Sequence, residues 1–333
     1  MNILITSVGR RSYMVEYFKA ALTENDRVFA INNEMTYALT LADHYAICPA
    51  IYDDSYIKYI LAFCLKNNIR AIISLFDIDL PVLTKNKELF DEHGIVLLLS
   101  AFSFIEICND KWLTYKFLTE NGFRTPQTFL SVNDAKEAII AVEVCYPLIV
   151  KPRWGMGSLG VFVADNEEDL NFYYKKTSQT IENSYLRYES QMDINNAVVI
   201  QKKLKGEEYG LDILNSLQGE YIATVPKKKV AMRAGETDIA KVIVDQQLIN
   251  FGERISERTG HIGNLDVDLF KVSGEIYILE LNARFGGQYP FSHVAGVNFP
   301  KVIVDQLKNI PFDGADVTFK NMIASKDFKI REL

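Results

Sequence analysis

The sequence predicts a parallel, doubly wound α/β unit over residues 1–100, a mixed segment over 101–200 and a strand-rich α+β segment over 201–333. Three observations predict this. Short apolar strands alternate with amphipathic helices through the first hundred residues. That alternation then gives way to a capped helix and a glycine-rich loop. From Val198 onward, strands follow one another with one long helix between them.

In the opening unit the expected strands are Ile3–Thr6, Val28–Asn32, Ala71–Leu75 and Val96–Leu99, and the expected helices Ser12–Leu22, Tyr56–Asn67 and Val82–Glu92. The first turn, Ser7-Val8-Gly9-Arg10-Arg11, feeds a helix N-terminus, where backbone N–H groups and two arginines would receive an anion. It lacks G-x-G-x-x-G, which argues against a dinucleotide site and an NAD-dependent oxidoreductase. An ordinary βα turn is the competing reading. Arg10, Arg11, Asp77 and Asp79 fall at strand C-terminal ends, where open α/β sheets bind ligands. Charges of both signs suit an amino acid or another zwitterion, unless the two aspartates merely cap the next helix.

Asn109 or Asp110 caps a helix running to about Asn121. A helix over Asp134–Val142 and a strand over Leu148–Lys151 follow. Lys151-Pro152-Arg153-Trp154-Gly155-Met156-Gly157-Ser158-Leu159-Gly160 then contains G-x-G-x-x-G, but Val161–Ala164 reads as another strand rather than a helix. A glycine loop between antiparallel strands is a flap that can close over phosphates, with Lys151 pointing a charge at them. A plain glycine hairpin is the alternative. The strand Val198–Gln201 leads into Lys202-Lys203-Leu204-Lys205, whose freed backbone groups could pair with an adenine edge, and Glu208 could take ribose hydroxyls. Taken alone, the same stretch reads as a charged linker.

The remaining strands are Tyr209–Leu214, Tyr221–Val225, Lys241–Val244 and a hairpin of Leu265–Phe270 with Ile276–Leu281; the helix is Gln246–Thr259. With a turn symmetric about Gly274, Asp268 opposes Glu280 and Asp266 opposes Asn282, all on one face. Val267, Leu269, Leu279 and Leu281 are then expected in the core. Opposed carboxylates repel unless a cation lies between them. An oxygen-only set suits a hard cation, Mg²⁺ or Mn²⁺, that bridges phosphates. Arg284 follows on the same face. A solvated acidic edge is the alternative.

Composition narrows the function classes. The chain of 333 residues is 48% hydrophobic and 24% charged, ordinary for a protein of two or three domains. A net charge of −7 and a pI near 5.3 disfavour nucleic acid or an anionic membrane as partner. The lysine clusters Lys202–Lys205 and Lys227–Lys229 suit a small anion better than a polymer. Cys48, Cys64, Cys108 and Cys145 lack metal spacing and are expected to be buried thiols in a reducing cytoplasm. No secretory signal or membrane span is expected. A homodimer stays open.

In this order the pieces resemble the ATP-grasp superfamily across nearly the whole chain: Asp110-Lys111, Lys151 with the flap, Gln201–Glu208, Asp268, and Glu280-Leu281-Asn282-Ala283-Arg284. The resemblance implies a Rossmann-like pre-ATP-grasp domain over 1–100, lobe A with the flap over 101–200 and lobe B with the hairpin over 201–333. Position by position it implies that Lys111 and Lys151 contact ATP phosphates, beside Gly155, Gly157 and Ser158. Gln201 and Leu204 would meet adenine through backbone groups, next to Lys202 and Lys203, with Glu208 on the ribose. Asp268, Glu280 and Asn282 would bind Mg²⁺ or Mn²⁺, and Arg284, Lys151 and Arg233 would serve catalysis. Gly9, Arg10, Asp79, Gly286 and Gly287 would meet the substrates, and Gln288, Ser292 and His293 could line the acceptor pocket.

The subgroup it resembles is the carbamoyl-phosphate-synthase-like single-chain ligases, whose pattern also covers Val225–Lys229 and Arg233-Ala234-Gly235-Glu236. Gln201 departs from it, since much of the family has Glu there. Carbamoyl-phosphate synthesis in the family uses two grasp halves, and this chain has one. The expected activity is ATP-dependent joining of a small carboxylate to an amine through an acyl-phosphate, releasing ADP and phosphate. The alternatives are a carboxylate–thiol ligase, phosphoryl transfer alone, or an ATP-binding regulator without turnover.

Overall fold

The computed structural model describes every residue except Ala234 and Phe328, so Ala234 of the Arg233–Glu236 stretch lies outside the described residues. The first sheet contains β1 (Asn2–Thr6), β2 (Arg27–Asn32), β3 (His44–Ile47), β4 (Ile69–Ser74) and β5 (Val96–Leu97). They pair in parallel in the order β3-β2-β1-β4-β5. Strand order reverses between β1 and β4, so the loops after their C-terminal ends open a crevice. Ile3, Leu4 and Ile5 of β1 are wholly buried, as a parallel strand covered on both faces requires.

Two expectations need correction in this unit. The helix read over Val82–Glu92 is two helices, Asp79–Lys85 and Lys87–Asp91. Asn86 breaks it: its backbone leaves helical geometry and its side-chain N–H donates to the Val82 carbonyl at 2.9 Å. β3 was not foreseen, because its edge position leaves His44, Tyr45 and Ile47 exposed and erases the alternation.

The second sheet is antiparallel, in the order β6-β9-β7-β8, from β6 (Thr128–Phe129), β7 (Leu148–Pro152), β8 (Phe162–Ala164) and β9 (Val198–Lys202). Helix Glu167–Glu182, packed against it, escaped the sequence reading. It buries only Leu170, Thr177 and Ile181, too sparse a stripe to stand out. This unit has its own apolar core around Leu148, Val150, Trp154, Leu170 and Ile200.

The third sheet is also antiparallel, in the order β14-β13-β10-β11-β12-β15, from β10 (Glu207–Asn215), β11 (Tyr221–Arg233), β12 (Glu236–Val242), β13 (Gly263–Val272), β14 (Glu275–Asn282) and β15 (Met322–Ser325). β11 runs to Arg233, well past the expected Val225, because Lys227 and Lys229 point inward to carboxylates. Helices Tyr289–Ala295 and Phe299–Leu307 follow β14, where no helix was expected. One core joins Ile3, Ile5 and Phe18 to Val225, Phe285, Tyr289 and Val302; another joins Leu4 and Ile72 to Leu211, Leu248 and Ile278. The first and third sheets thus share packing, while the flap-bearing unit packs chiefly on itself. No helix among the described residues is long and apolar enough to cross a membrane.

Candidate active site

The hairpin β13–β14 sets Asp268 opposite Glu280 and Asp266 opposite Asn282. The chain reaches this register by an unforeseen route. Val272 pairs with Glu275 across the tight Ser273-Gly274 turn, and a bulge at Leu279 then shifts the pairing by one residue before Glu280. A bulge re-aims the side chain beside it. Leu279 therefore leaves the core expected for it and lines the cleft, while Ile276 and Ile278 are buried.

This hairpin floors a cleft of about 1310 Å³ whose walls come from all three units. Lysines meet its carboxylates. Lys151 Nζ lies 3.1 Å from Glu280 Oε1, and Lys111 Nζ 3.9 Å from the same oxygen. Lys229 spans the Glu208 carboxylate at 2.5 Å and that of Asp268 at 2.8 Å. Withdrawal from water pushes the Glu280 carboxyl up, but Lys111 and Lys151 outweigh it and hold the group down to about 2. Burial lowers the Lys151 ammonium, helped by Lys111 and opposed by Glu280. Lys229 is raised: burial works against its charge, and Asp268 with Glu208 overcomes that.

Arg284 lies beside this floor, fixed from two sides. Its guanidinium contacts Asp77 at 3.0 Å and Asp266 at 2.8 Å, so its pKa is raised despite burial. Asp77 belongs to the loop after β4, which ties Arg284 to the first sheet's crevice. Arg11 closes the same junction, donating to the Leu75 and Phe285 carbonyls at 2.7 Å each. Arg10 and Gly287 line the cleft nearby.

The glycine loop between β7 and β8 roofs the cleft. Gly157 has φ +62°, which the turn requires and few other residues adopt. Lys111 Nζ donates to the Gly155 carbonyl at 2.6 Å. A Cβ on Gly235, between β11 and β12, would fall 2.6 Å from Ser158 Oγ, so the loop meets the opposite wall. Asp110 caps the helix Lys111–Glu120 and also grips Arg153 through two bonds of 2.8 and 2.7 Å. At the hinge the β9 ladder ends at Lys202, and Lys203 and Leu204 continue outside the ladder along the cleft. Gln201 turns its side-chain amide away, onto Thr128 at 3.0 Å.

The comparisons with known proteins decide what kind of cleft this is. A family model described as "ATP-grasp domain" matches residues 108–288, and one described as "PylC-like, N-terminal domain" matches residues 3–98. The chain belongs to the ATP-grasp family. Among curated relatives, a carbamoyl-phosphate synthase of Methanobrevibacter smithii is 24% identical over 322 residues, covering 90% of this chain and 78% of its own length. The carbamoyl phosphate synthase large chain of Neisseria meningitidis is 23% identical over 212 residues, and this chain spans only 20% of it. Among solved structures, an L-amino acid ligase from Bacillus licheniformis aligns with a TM-score of 0.72 at 20% identity, over 94% of this chain and 78% of its own. The biotin carboxylase domain of Hydrogenobacter thermophilus 2-oxoglutarate carboxylase, solved with MgADP, ADP and bicarbonate, gives 0.75 at 18%, over 96% and 72%.

Not every expected site residue of this ATP-grasp chain reaches the cleft. Lys111, Lys151, Gly155, Gly157, Ser158, Gln201, Lys202, Lys203, Leu204, Glu208, Arg233, Asp268, Glu280, Asn282, Arg284, Arg10 and Gly287 line it. Asp79 does not. It is wholly buried, accepting bonds from Thr6, Ser7, Tyr56 and Ser74, because four hydroxyls surround a carboxylate withdrawn from water. Gly9 gives its N–H to Asn32, and Gly286 backs onto Asp266, where a Cβ would fall 2.2 Å from the carboxyl carbon. Ser292 is buried against Asp212 at 2.5 Å, and His293 stacks on Tyr17 with ring centroids 3.6 Å apart. Gln288 does line the cleft and donates to Asp268 at 2.8 Å.

The lysine cluster Lys227–Lys229 is not an open anion site either. Lys227 is fully buried on Asp212, Lys228 pairs with Glu207, and Lys229 is committed as described. Cys145 is exposed rather than buried, since the loop before β7 leaves it at the surface. The sequence reading had Lys229 only within an anion-binding lysine cluster and Asp266 only on the hairpin's facing set, without the roles the structure gives them, and it missed Glu189 altogether. Strand alternation from Lys227 to Lys229 was the available signal for the first.

Among the described residues no three His, Cys, Asp or Glu side chains form a self-sufficient metal centre. The hairpin offers Asp268, Glu280 and the Asn282 amide oxygen, whose Nδ2 is spent on the Asp266 carbonyl at 3.4 Å. An oxygen-only, incomplete set fits a divalent cation that draws its other ligands from water and phosphate.

Proposed function

We propose that this ATP-grasp protein transfers the ATP γ-phosphoryl group to a small carboxylate and joins the resulting acyl-phosphate to an amine, releasing ADP and phosphate. The observation that carries this reading is the convergence of Lys111, Lys151 and Lys229 on the opposed Asp268–Glu280 pair in one cleft, with Arg284 held beside them by Asp77 and Asp266. A carboxylate is a poor electrophile until phosphorylated. Phosphoryl transfer demands positioning and charge neutralisation more than acid–base groups.

Residues 1–100 act here as the pre-ATP-grasp domain, 101–200 as lobe A and 201–333 as lobe B. Lys111 and Lys151 exchange Glu280 for ATP phosphates, and Gly155, Gly157 and Ser158 close over them to exclude water. The backbone leaving β9 at Gln201 and Lys202, free of ladder pairing from Lys203 to Leu204, receives adenine, with Glu208 on the ribose. Arg284, already immobilised by Asp77 and Asp266, meets the transferring group without reorganising. Mg²⁺ or Mn²⁺ held by Asp268, Glu280 and Asn282 supplies further neutralisation of phosphate charge. Arg10, Gly287 and Arg233 also line the cleft and are left for the substrates, with Asp238 beside Arg233 adding the opposite charge that suits amino-acid-like molecules.

With ¹⁸O in the substrate carboxylate, one label should appear in released phosphate. Label in AMP would point to an adenylating enzyme, and ATP binding without ADP formation to a regulator. A thioester product would favour carboxylate–thiol ligation.

A further inference from the structure

Nearly every carboxylate in the cleft is committed. Asp268 and Glu208 hold Lys229, Glu280 holds Lys151 and Lys111, Asp77 and Asp266 hold Arg284, Asp238 holds Arg233 and Glu236 holds Lys326. Asp327 is partnered too. Among the described residues, two cleft carboxylates, Glu16 and Glu189, have neither an ion pair nor a hydrogen bond. Glu16 is exposed on the helix Ser12–Ala21. Glu189 is half-buried on the short helix Arg187–Ser190 and faces Asp77 and Lys111, where the Arg284 anchor meets the phosphate-side lysines. No histidine lines the cleft among the described residues.

An amine attacks an acyl-phosphate only as the free base, whereas amino groups are mostly ammonium at neutral pH. Something must take that proton. We infer that Glu189 is the group that takes it, with Asp77 beside it helping to draw in the ammonium form; this rests on the ligase reading above. The amine's ammonium gives one proton to the Glu189 carboxylate. The freed nitrogen lone pair forms the C–N bond, the carbonyl carbon–oxygen bond to phosphate breaks, and phosphate leaves with the nitrogen's second proton.

The surroundings suit such a base. Burial pushes the Glu189 carboxyl up to about 7, the Asp77 charge adds to this, and Lys111 opposes it. Tyr52 and Tyr185 also face it, and burial raises both phenols, which keeps them neutral. Arg187 on the same helix is occupied, its guanidinium 5.0 Å from the Tyr188 ring centre. Tyr52 stacks on that ring at 4.5 Å.

Glu189→Gln tests this with the proteinogenic amino acids offered as carboxylate and as amine, and with hydroxylamine as an acceptor already largely free base at pH 7. The variant should form hydroxamate and ADP at near wild-type rates, while peptide formation falls about 10²-fold or more, the range general bases contribute. The acidic limb near pH 7 should vanish from kcat/KM for the amine, and Glu189→Asp should recover part of the rate. Equal losses with both acceptors, no loss with either, or an unchanged pH limb would overturn the inference. A wild-type protein yielding neither ADP nor hydroxamate from any carboxylate would overturn the ligase reading beneath it. Thermal unfolding of each variant reports folding separately.

Discussion

Asp77 and Arg284 meet at 3.0 Å, tying the loop after β4 of the first sheet to the residue two beyond β14 of the third. Both side chains are only about a tenth exposed, 11% and 10%. The contact fixes the proposed transition-state cation from outside its own sheet, which gives the first unit a part in the proposed catalysis. Asp77→Asn keeps the shape and removes the charge. A bond to a charged group contributes about 1.5–3 kcal/mol, so chemical unfolding should show a loss of that order. Turnover should fall more than ATP affinity. Unchanged stability together with unchanged turnover would remove Asp77 from this role.

Lys227 and Asp212 form the most buried ion pair in the third sheet, with both side chains at 0% exposure. Ser292 donates to the same Asp212 oxygen, Oδ2, at 2.5 Å. Lys227→Met strands a buried carboxylate, and breaking such a pair costs about 3–5 kcal/mol. Asp212→Asn combined with Lys227→Met should recover most of that, because the neutral amide still accepts from Ser292. Urea denaturation of single and double variants measures both, and a double variant no better than Lys227→Met would count against the pairing as the cause.

How much of this was legible follows from where the signals lie. The Asp268–Glu280 facing was readable only because a turn taken as symmetric about Gly274 gives the same facing as the actual Ser273-Gly274 turn plus the Leu279 bulge. The Leu279 bulge was not, since nothing in Ile-Tyr-Ile-Leu-Glu distinguishes a shifted ladder from a regular one. Asp79 and Asp77 look alike two residues apart, yet one is buried among hydroxyls and the other holds Arg284. That difference comes chiefly from Thr6, Ser7 and Tyr56, distant in sequence, with nearby Ser74 completing the set. Glu189 carried no local signal at all. Its importance arises because the other cleft carboxylates but Glu16 are taken, which only a folded chain reveals.

Lys229 sits where an added cation would also be welcome, between Glu208 and Asp268. Removing it as Lys229→Met should lower apo stability, since two carboxylates are left facing one another. Mg²⁺ without nucleotide should then stabilise the variant more than it does the wild type, through preferential binding to the folded state. Thermal shifts across a Mg²⁺ titration test this, and identical shifts in both proteins would argue against these carboxylates sharing a cation.

Gly286 and Gly210 both leave no room for a side chain, yet substitution should separate them. A Cβ at Gly286 would fall 2.2 Å from the Asp266 carboxyl carbon, and Asp266 is short, buried and bound to Arg284. One at Gly210 would fall 2.2 Å from Gln288 Oε1, the far end of a longer side chain. Gly286→Ala should therefore displace Arg284 and cost more in both unfolding midpoint and turnover. Gly210→Ala should chiefly disturb the Gln288–Asp268 bond, with a smaller stability loss. The reverse ranking would show that the Gln288 side chain, rather than Asp266, is the rigid neighbour.

His261 gives the pH prediction. Its Nε2 lies 3.1 Å from the Ile213 carbonyl and its Nδ1 2.8 Å from Thr259 Oγ1, so Nε2 carries the proton and Nδ1 accepts from the hydroxyl. Burial lowers its pKa from 6.5 to about 4, with the Ile213 carbonyl partly opposing. The unfolded chain thus binds a proton between pH 6.5 and 4 that the folded chain refuses. The stabilising contribution is complete above 6.5 and is lost as pH falls through that window, on the order of 1 kcal/mol per pH unit. His261→Gln can donate to the Ile213 carbonyl without titrating, so its stability should fall less steeply between pH 6.5 and 4. Parallel slopes for the two proteins in urea unfolding would show that other groups carry the acid sensitivity. The His261 imidazole itself titrating near 6.5 by NMR in the folded protein would contradict its neutral, buried state directly.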